Sequence, residues 1–303
     1  GRRKHTMTMW LKRSLTAATL AATLAGCGTD PEAACTHDQL GAAEACSERL
    51  FWRAFTQADL VQRQASEAMM MALIRRLPAE SDPHAGSRLH FRLGQLRLAM
   101  ALENQQSQYA IGSETLVVSE FREASRLDPE NGIIAPWTDT MEMAIPAIFE
   151  DWDRAVALAD RGFANVDKNR LGNTLSLSGT TIGFPLRTGI PQRTAKLLDD
   201  WRCEGVDFCT QNTLHAPYAR PGLSYHFAEA YARVGERDKA GRYLREALNA
   251  PGADRWSYRA VAQDAHDHLD AFLKTFADLG QDGSAFRMVY ANQPTGCLFC
   301  HHQ

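Results

Sequence analysis

Residues 224–251 read SYHFAEAYARVGERDKAGRYLREALNAP. The stretch divides at Gly235 into two amphipathic helical periods. Phe227, Ala228 and Tyr231 recur at helical spacing before it; Ala240, Leu244 and Ala247 do so after it, and Pro251 stops the second run. Ala228 and Ala240 are small enough for two helices to approach closely. Tyr231 and Leu244 are large enough to fill the space between them, and Gly235 takes the turn. The expectation is a helical hairpin, and the fold is decided by how often that unit recurs.

Outward from this stretch, amphipathic helical periods dominate from Ser47 onward and few runs read as strands. Phe51, Trp52, Phe55, Leu60, Val61, Ala68, Met69, Ala72 and Leu73 form one stripe across 48–77, stopped by Pro78. A loop with Asp82, Pro83 and Gly86 precedes a helix around 87–103. The fold class is all-α. The pattern of 224–251 resembles the tetratricopeptide repeat (TPR) family. Phe121, Ala124, Leu127, Pro129 and Asn131 resemble the end of another such unit, its first helix carrying Leu93-Gly94 with about eleven extra residues between the two. Trp152, Ala155, Ala159 and Gly162 are a weaker third match. The resemblance implies an irregular TPR-like helical-hairpin solenoid over 48–290 with a concave partner-binding surface. Residues 171–222 interrupt it: Gly172, Gly179, Gly183, Pro185, Gly189, Pro191, Pro217 and Pro221 predict an irregular insertion, with a helix near 191–202 and loop elsewhere.

The 303 residues are 45% apolar and 23% charged, which excludes wholesale disorder, a collagen-like fibre and a multi-span membrane protein. A formal charge of −3 gives no sign of nucleic-acid binding. Residues 1–26 hold Arg2, Arg3, Lys4, Lys12 and Arg13 but no acid, then 13 uncharged residues from Ser14 to Gly26. That is a basic region followed by an apolar region too short to span a bilayer, with Met7 or Met9 as the natural start. Leu24-Ala25-Gly26-Cys27 then resembles the lipobox of bacterial lipoproteins. The resemblance implies cleavage before Cys27 and a diacylglycerol thioether on its sulfur; the alternative is an ordinary cleaved signal. Gly28, which is not acidic, implies the outer membrane, on its periplasmic face, rather than the inner. Losing residues 1–26 would take the formal charge from −3 to −8.

Seven cysteines is an odd number, so at least one thiol in an exported chain serves something other than an internal disulfide. Cys27 is that one. Cys35 and Cys46, in a tether over 27–47, and Cys203 and Cys209, in the insertion, are spaced to close two local disulfides, although four cysteines allow three connectivities. The last two lie in the tail over 291–303, in Cys297-Leu298-Phe299-Cys300-His301. On one helical turn, positions i, i+3 and i+4 share a face. Two thiols then reach one edge of a porphyrin and the imidazole lies under its iron. The motif resembles the haem-attachment site of c-type cytochromes. The resemblance implies one covalent haem c, thioethers at Cys297 and Cys300, and His301 as proximal iron ligand. Two other readings stand beside it: a zinc site from Cys297, Cys300 and His301 or His302, and a Cys297–Cys300 disulfide.

The tail is too short to enclose a haem, so the preceding helices must supply a crevice. Phe286, Met288, Val289, Tyr290, Leu298 and Phe299 are nearby apolar residues. Met288, His266 or His268 are conceivable distal ligands, while His226 reads as core or surface. No H-E-x-x-H, P-loop or G-x-S-x-G pattern argues for an enzyme. The expectation is a lipid-anchored envelope protein that passes single electrons to or from a docked redox partner protein. The alternatives are a repeat scaffold without haem, or haem or gas sensing through an open iron position.

Overall fold

A computed structural model describes residues 35, 37–56, 60–103, 108–200, 213, 215–277 and 300–301. Among them the protein is all-α, with twelve α-helices and no strand. In chain order these are α1 (Leu40–Thr56), α2 (Leu60–Arg76), α3 (Pro83–Glu103), α4 (Gln108–Leu127), α5 (Ile134–Ile148), α6 (Trp152–Ala164), α7 (Arg170–Thr181), α8 (Ile190–Asp199), α9 (Ala219–Arg233), α10 (Arg237–Asn249), α11 (Arg259–Asp267) and α12 (Leu269–Ala277). Neighbours in sequence are neighbours in space: α1 packs on α2, α3 on α4, α5 on α6 and α9 on α10. Alternate helices also meet, α1 with α3 and α5 with α7.

Within α9 and α10 the buried face is the one set by the apolar spacing. Ala228, Tyr231, Ala240, Leu244 and Ala247 are fully buried, and Gly235 turns the chain at φ +76°. In α3, Leu93 is buried, and a Cβ on Gly94 would lie 3.3 Å from the Phe121 ring of α4. Ala155, Ala159 and Gly162 form the buried face of α6.

The stripe across 48–77 falls on two helices that pack on each other, α1 ending at Thr56 and α2 starting at Leu60. The Thr56 hydroxyl donates to the Trp52 carbonyl, and the fully buried Arg63 reaches back from α2, its Nε to Ala54 O and its Nη2 to Phe55 O, both at 3.1 Å. These are last-turn carbonyls that an ending helix leaves without intrahelical partners.

Residues 171–222 also differ from the expected loop. The helix near 191–202 is α8, but α7 is a second helix, over a stretch whose polar composition hides the helical period. Asn173, Thr174, Ser176, Ser178, Thr180 and Thr181 are all buried. Ser176, Ser178 and Thr181 return their hydroxyl protons to carbonyls three or four residues back, which lets hydroxyl side chains sit inside. The chain after α10 forms two short helices, α11 and α12.

Arginines, several of them buried, hold the helices together. Arg233 of α9 donates to the carbonyls of Ile182 and Phe184 after α7, and to that of Phe276 in α12. Arg92 and Arg88 of α3 both meet the buried Glu44 of α1, and Arg97 joins Glu67 of α2 to Glu120 of α4. Before α1, the Cys35 and Cys46 sulfurs are bonded, their Cα atoms 5.6 Å apart. Arg76 of α2 donates to the carbonyls of Cys35 and His37, fixing this leader against the first helical pair. No helix among the described residues is long and apolar enough to cross a membrane.

Candidate functional site at the docked carboxyl terminus

Cys300 and His301 lie against the C-terminal end of α1 and the segment that enters α9. Trp52 and Phe55, three residues apart, share one face of the last turn of α1. They form an aromatic cluster with Phe51, the ring centroids 5.0 Å apart for Phe51–Trp52 and 5.2 Å for Phe51–Phe55. His215 stacks on the other part of the indole, 4.5 Å away and 10° from parallel. The His301 ring enters this cluster, 5.7 Å from Trp52 and 5.6 Å edge-on to Phe55.

The backbone fixes the same contact. The Tyr218 N–H donates to the Cys300 carbonyl at 3.1 Å, and the Cys300 thiol lies 3.9 Å from the Ala219 carbonyl. The Nδ1 of His301 bonds the carbonyl oxygen of His215. A carbonyl only accepts, so Nδ1 carries the proton. Burial holds the His301 pKa below the usual imidazole value, so the ring is neutral. A neutral imidazole protonated on Nδ1 has its lone pair on Nε2. That is the tautomer a metal-ligating histidine uses, with its other nitrogen given to a carbonyl that orients the ring.

The structure thus joins two residues of the Cys-x-x-Cys-His motif to three that the sequence did not single out as site residues: Trp52, Phe55 and His215. Trp52 and Phe55 read as core stripe, which they also are, and local spacing carries no signal linking them to residues 300–301. Cys27, Cys203, Cys209, Cys297, Met288 and His302 lie outside the described residues. His268 is exposed with Nδ1 3.0 Å from an Asp264 carboxylate oxygen, and His266 Nδ1 is 3.3 Å from that of Asp267. Among the described residues no three His, Cys, Asp or Glu side chains gather in metal-binding geometry.

His226 is buried, with Nε2 2.8 Å from the Ser178 hydroxyl and Nδ1 3.8 Å from Glu229. The Ser178 hydroxyl also lies 3.2 Å from the Leu175 carbonyl, so it touches both its own helix and the imidazole of α9. The bond clamps α7 to α9.

No family model matches the chain, and no curated protein or solved structure matches it either.

Proposed function

We propose that the protein is a lipid-anchored c-type cytochrome of the bacterial cell envelope, with one covalent haem at its carboxyl terminus, carried on a TPR-like helical scaffold. The observation that carries this reading is the bond from His301 Nδ1 to the His215 carbonyl. It leaves Nε2 as the ligating nitrogen, one residue after a cysteine that is itself held beside α9. The donor set fits a haem: a neutral imidazole, an adjacent thiol and aromatic walls that exclude water. Cys297 and Cys300 would hold the porphyrin by thioethers and His301 would ligate its iron. Bound haem supplies reversible one-electron transfer.

The chain's own residues do the rest. The Tyr218 N–H holds the backbone of Cys300, the His215 carbonyl sets the tautomer and plane of His301, and Trp52 with Phe55 keeps that imidazole dry. The stacked helical pairs, with small residues where helices cross and Gly235 at a turn, support a TPR-like solenoid whose surface would hold a redox partner protein near the tail. Cys27 would anchor the assembly to the outer membrane, and the Cys35–Cys46 bond would tie that tether to α1.

The test is the absorption spectrum of protein expressed with a haem-maturation system and then denatured. The expected result is a Soret band retained by wild type and lost from the Cys297→Ala, Cys300→Ala double variant. Absence of that band in wild type would leave the haem-free repeat scaffold as the reading. Carbon monoxide binding to the reduced protein would distinguish an open iron position, and hence sensing, from a six-coordinate electron carrier.

A further inference from the structure

A cavity of about 580 Å³ opens over the solvent face of α4, between His90 of α3 and Ile145 of α5. Thr115, Ser119, Arg122 and Arg126 of α4 line it at positions i, i+4, i+7 and i+11, one exposed stripe along the helix. Val118 and Ile145 give it an apolar wall. Acceptors and donors in this lining are unequally used. Glu120 accepts at Oε2 from His90 Nδ1 (2.6 Å) and at Oε1 from Arg97 (2.7 Å). Glu123 accepts at both oxygens from Arg126, at 2.8 and 2.6 Å. Every carboxylate oxygen on the wall therefore has its donor. Arg122, by contrast, spends only Nε, on Glu142, and keeps both Nη groups. Arg126 keeps Nη1, and the Ser119 and Thr115 hydroxyls have no partner among the described residues. His90 is buried with Nδ1 fixed on Glu120, and its Nε2 is neither hydrogen-bonded nor sealed from solvent; as imidazolium it adds a further N–H to the wall.

We propose that this cavity binds a small organic anion, a carboxylate or phosphate group on an apolar body. A lining whose acceptors are taken and whose donors are open is matched by an acceptor-rich ligand. Guanidinium forks suit the paired oxygens of carboxylate and phosphate, and hydrogen bonds to an ionised acceptor are the strong ones. The volume lies within the roughly 300–1,000 Å³ of small-molecule sites, far more than an inorganic ion fills. The ligand's body covers Val118 and Ile145, and its oxyanion meets Arg122 and Ser119. The acids nearby do not stand bare against it: Arg97 bridges Glu120 to Glu67, and Glu142 is shared by Arg122 and Arg161. The site is built on α3, α4 and α5 alone, so it does not depend on the haem reading.

The experiment titrates the full chain by calorimetry with four probes: benzoate, phenyl phosphate, inorganic phosphate and benzyl alcohol. The expected result is saturable one-to-one binding of benzoate or phenyl phosphate, the tighter of the two naming the head group. Benzyl alcohol, which lacks the charge, and inorganic phosphate, which lacks the apolar body, should bind more weakly by about tenfold or more. Arg122→Gln should weaken the better anion about tenfold, the worth of one hydrogen bond between charged groups, and Ser119→Ala should weaken it less. Arg154→Gln removes the same charge from an exposed position on α6, away from the cavity, and should leave the affinity unchanged. Circular dichroism checks that each variant keeps its helices, and Ser119→Ala carries the test if Arg122→Gln does not fold. The proposal is overturned by failure of both organic anions to bind at millimolar concentration. It is equally overturned if benzyl alcohol or inorganic phosphate binds as tightly, or if Arg154→Gln costs as much as Arg122→Gln.

Discussion

The imidazole of His301 donates from Nδ1 to the backbone carbonyl of His215, 86 residues earlier in the chain. This one bond settles two things about the tail: where it docks, and which imidazole nitrogen is left with a lone pair. It also places His215 on the Nδ1 side of the ring, opposite the side where an iron would bind. His215 therefore serves His301 as an orienting carbonyl, and its own imidazole stays on the Trp52 face.

The docked tail should be sensitive to acid. Burial lowers the folded-state pKa of His301 below its unfolded value. A histidine shifted in that direction contributes stability that is complete above the unfolded pKa of about 6.5 and is lost as pH falls through the lower folded value. Tryptophan fluorescence followed from pH 8 down to pH 5 should report release of His301 from Trp52. The transition should vanish in His301→Phe, which fills the site but does not titrate. A transition that persists unchanged there would assign it to another group.

Arg63 should be a large contributor to the stability of the first helical pair. Its guanidinium donates to the Ala54 and Phe55 carbonyls from a fully buried position. Arg63→Met keeps much of the stem volume and removes both bonds, leaving two buried carbonyls without donors. A cost of about 3 kcal/mol is expected, at roughly 1.5 kcal/mol per bond to a charged donor. Arg63→Lys should recover less than half of it, because one ammonium does not reproduce the planar fork. Circular dichroism melts with urea titrations measure both.

Much of this helical core is legible from spacing, and the reason is local. Ala228, Ala240, Leu244 and Ala247 repeat at the period of the helix that buries them, so the α9–α10 pair can be read without its neighbours. α7 could not be read this way, because hydroxyls bonded to their own backbone hide its buried faces behind polar residue types. The end of α1 at Thr56 was illegible for a different reason: the group that caps α1, Arg63, lies in the next helix and reads as a solvated charge. The Cys-x-x-Cys-His motif stood out as chemistry, but its docking site did not. Trp52, Phe55 and His215 meet His301 only through the tertiary fold, and no short-range period records such a meeting.

Two glycines should respond to the same substitution for opposite reasons. A Cβ on Gly162 would lie 2.6 Å from Leu177 Cδ2, across the α6–α7 contact. Gly162→Ala should destabilise by about 1–3 kcal/mol through overpacking, and Leu177→Ala in the same chain should relieve part of that cost. Gly235 has open space around it but a φ of +76°. Gly235→Ala should cost about 1–2 kcal/mol from backbone strain alone, Gly235→Asn less, and no neighbouring truncation should help. A double-mutant cycle separates the two mechanisms: coupling between positions 162 and 177, and none between 235 and any side chain facing it.

Glu229 should give the helical core an opposite pH dependence to that of the tail. It is buried beside His226, and burial raises its pKa above the usual carboxylate value. A carboxyl shifted upward contributes stability that is fully present below its unfolded pKa of about 4.3 and is lost as pH rises through the folded value. Ionising it leaves a negative charge between α7 and α9, where His226 Nδ1 is 3.8 Å away and the Ser178 hydroxyl is already engaged. Glu229→Gln is isosteric and uncharged at every pH. Its urea midpoint should therefore stay level between pH 5 and pH 8 in this respect, while that of wild type falls. The difference between the two proteins, not the wild-type slope alone, isolates Glu229 from the other titrating groups. If the gap between them is the same at both pH values, the carboxyl is already ionised in the folded protein across that range and its pKa is not raised.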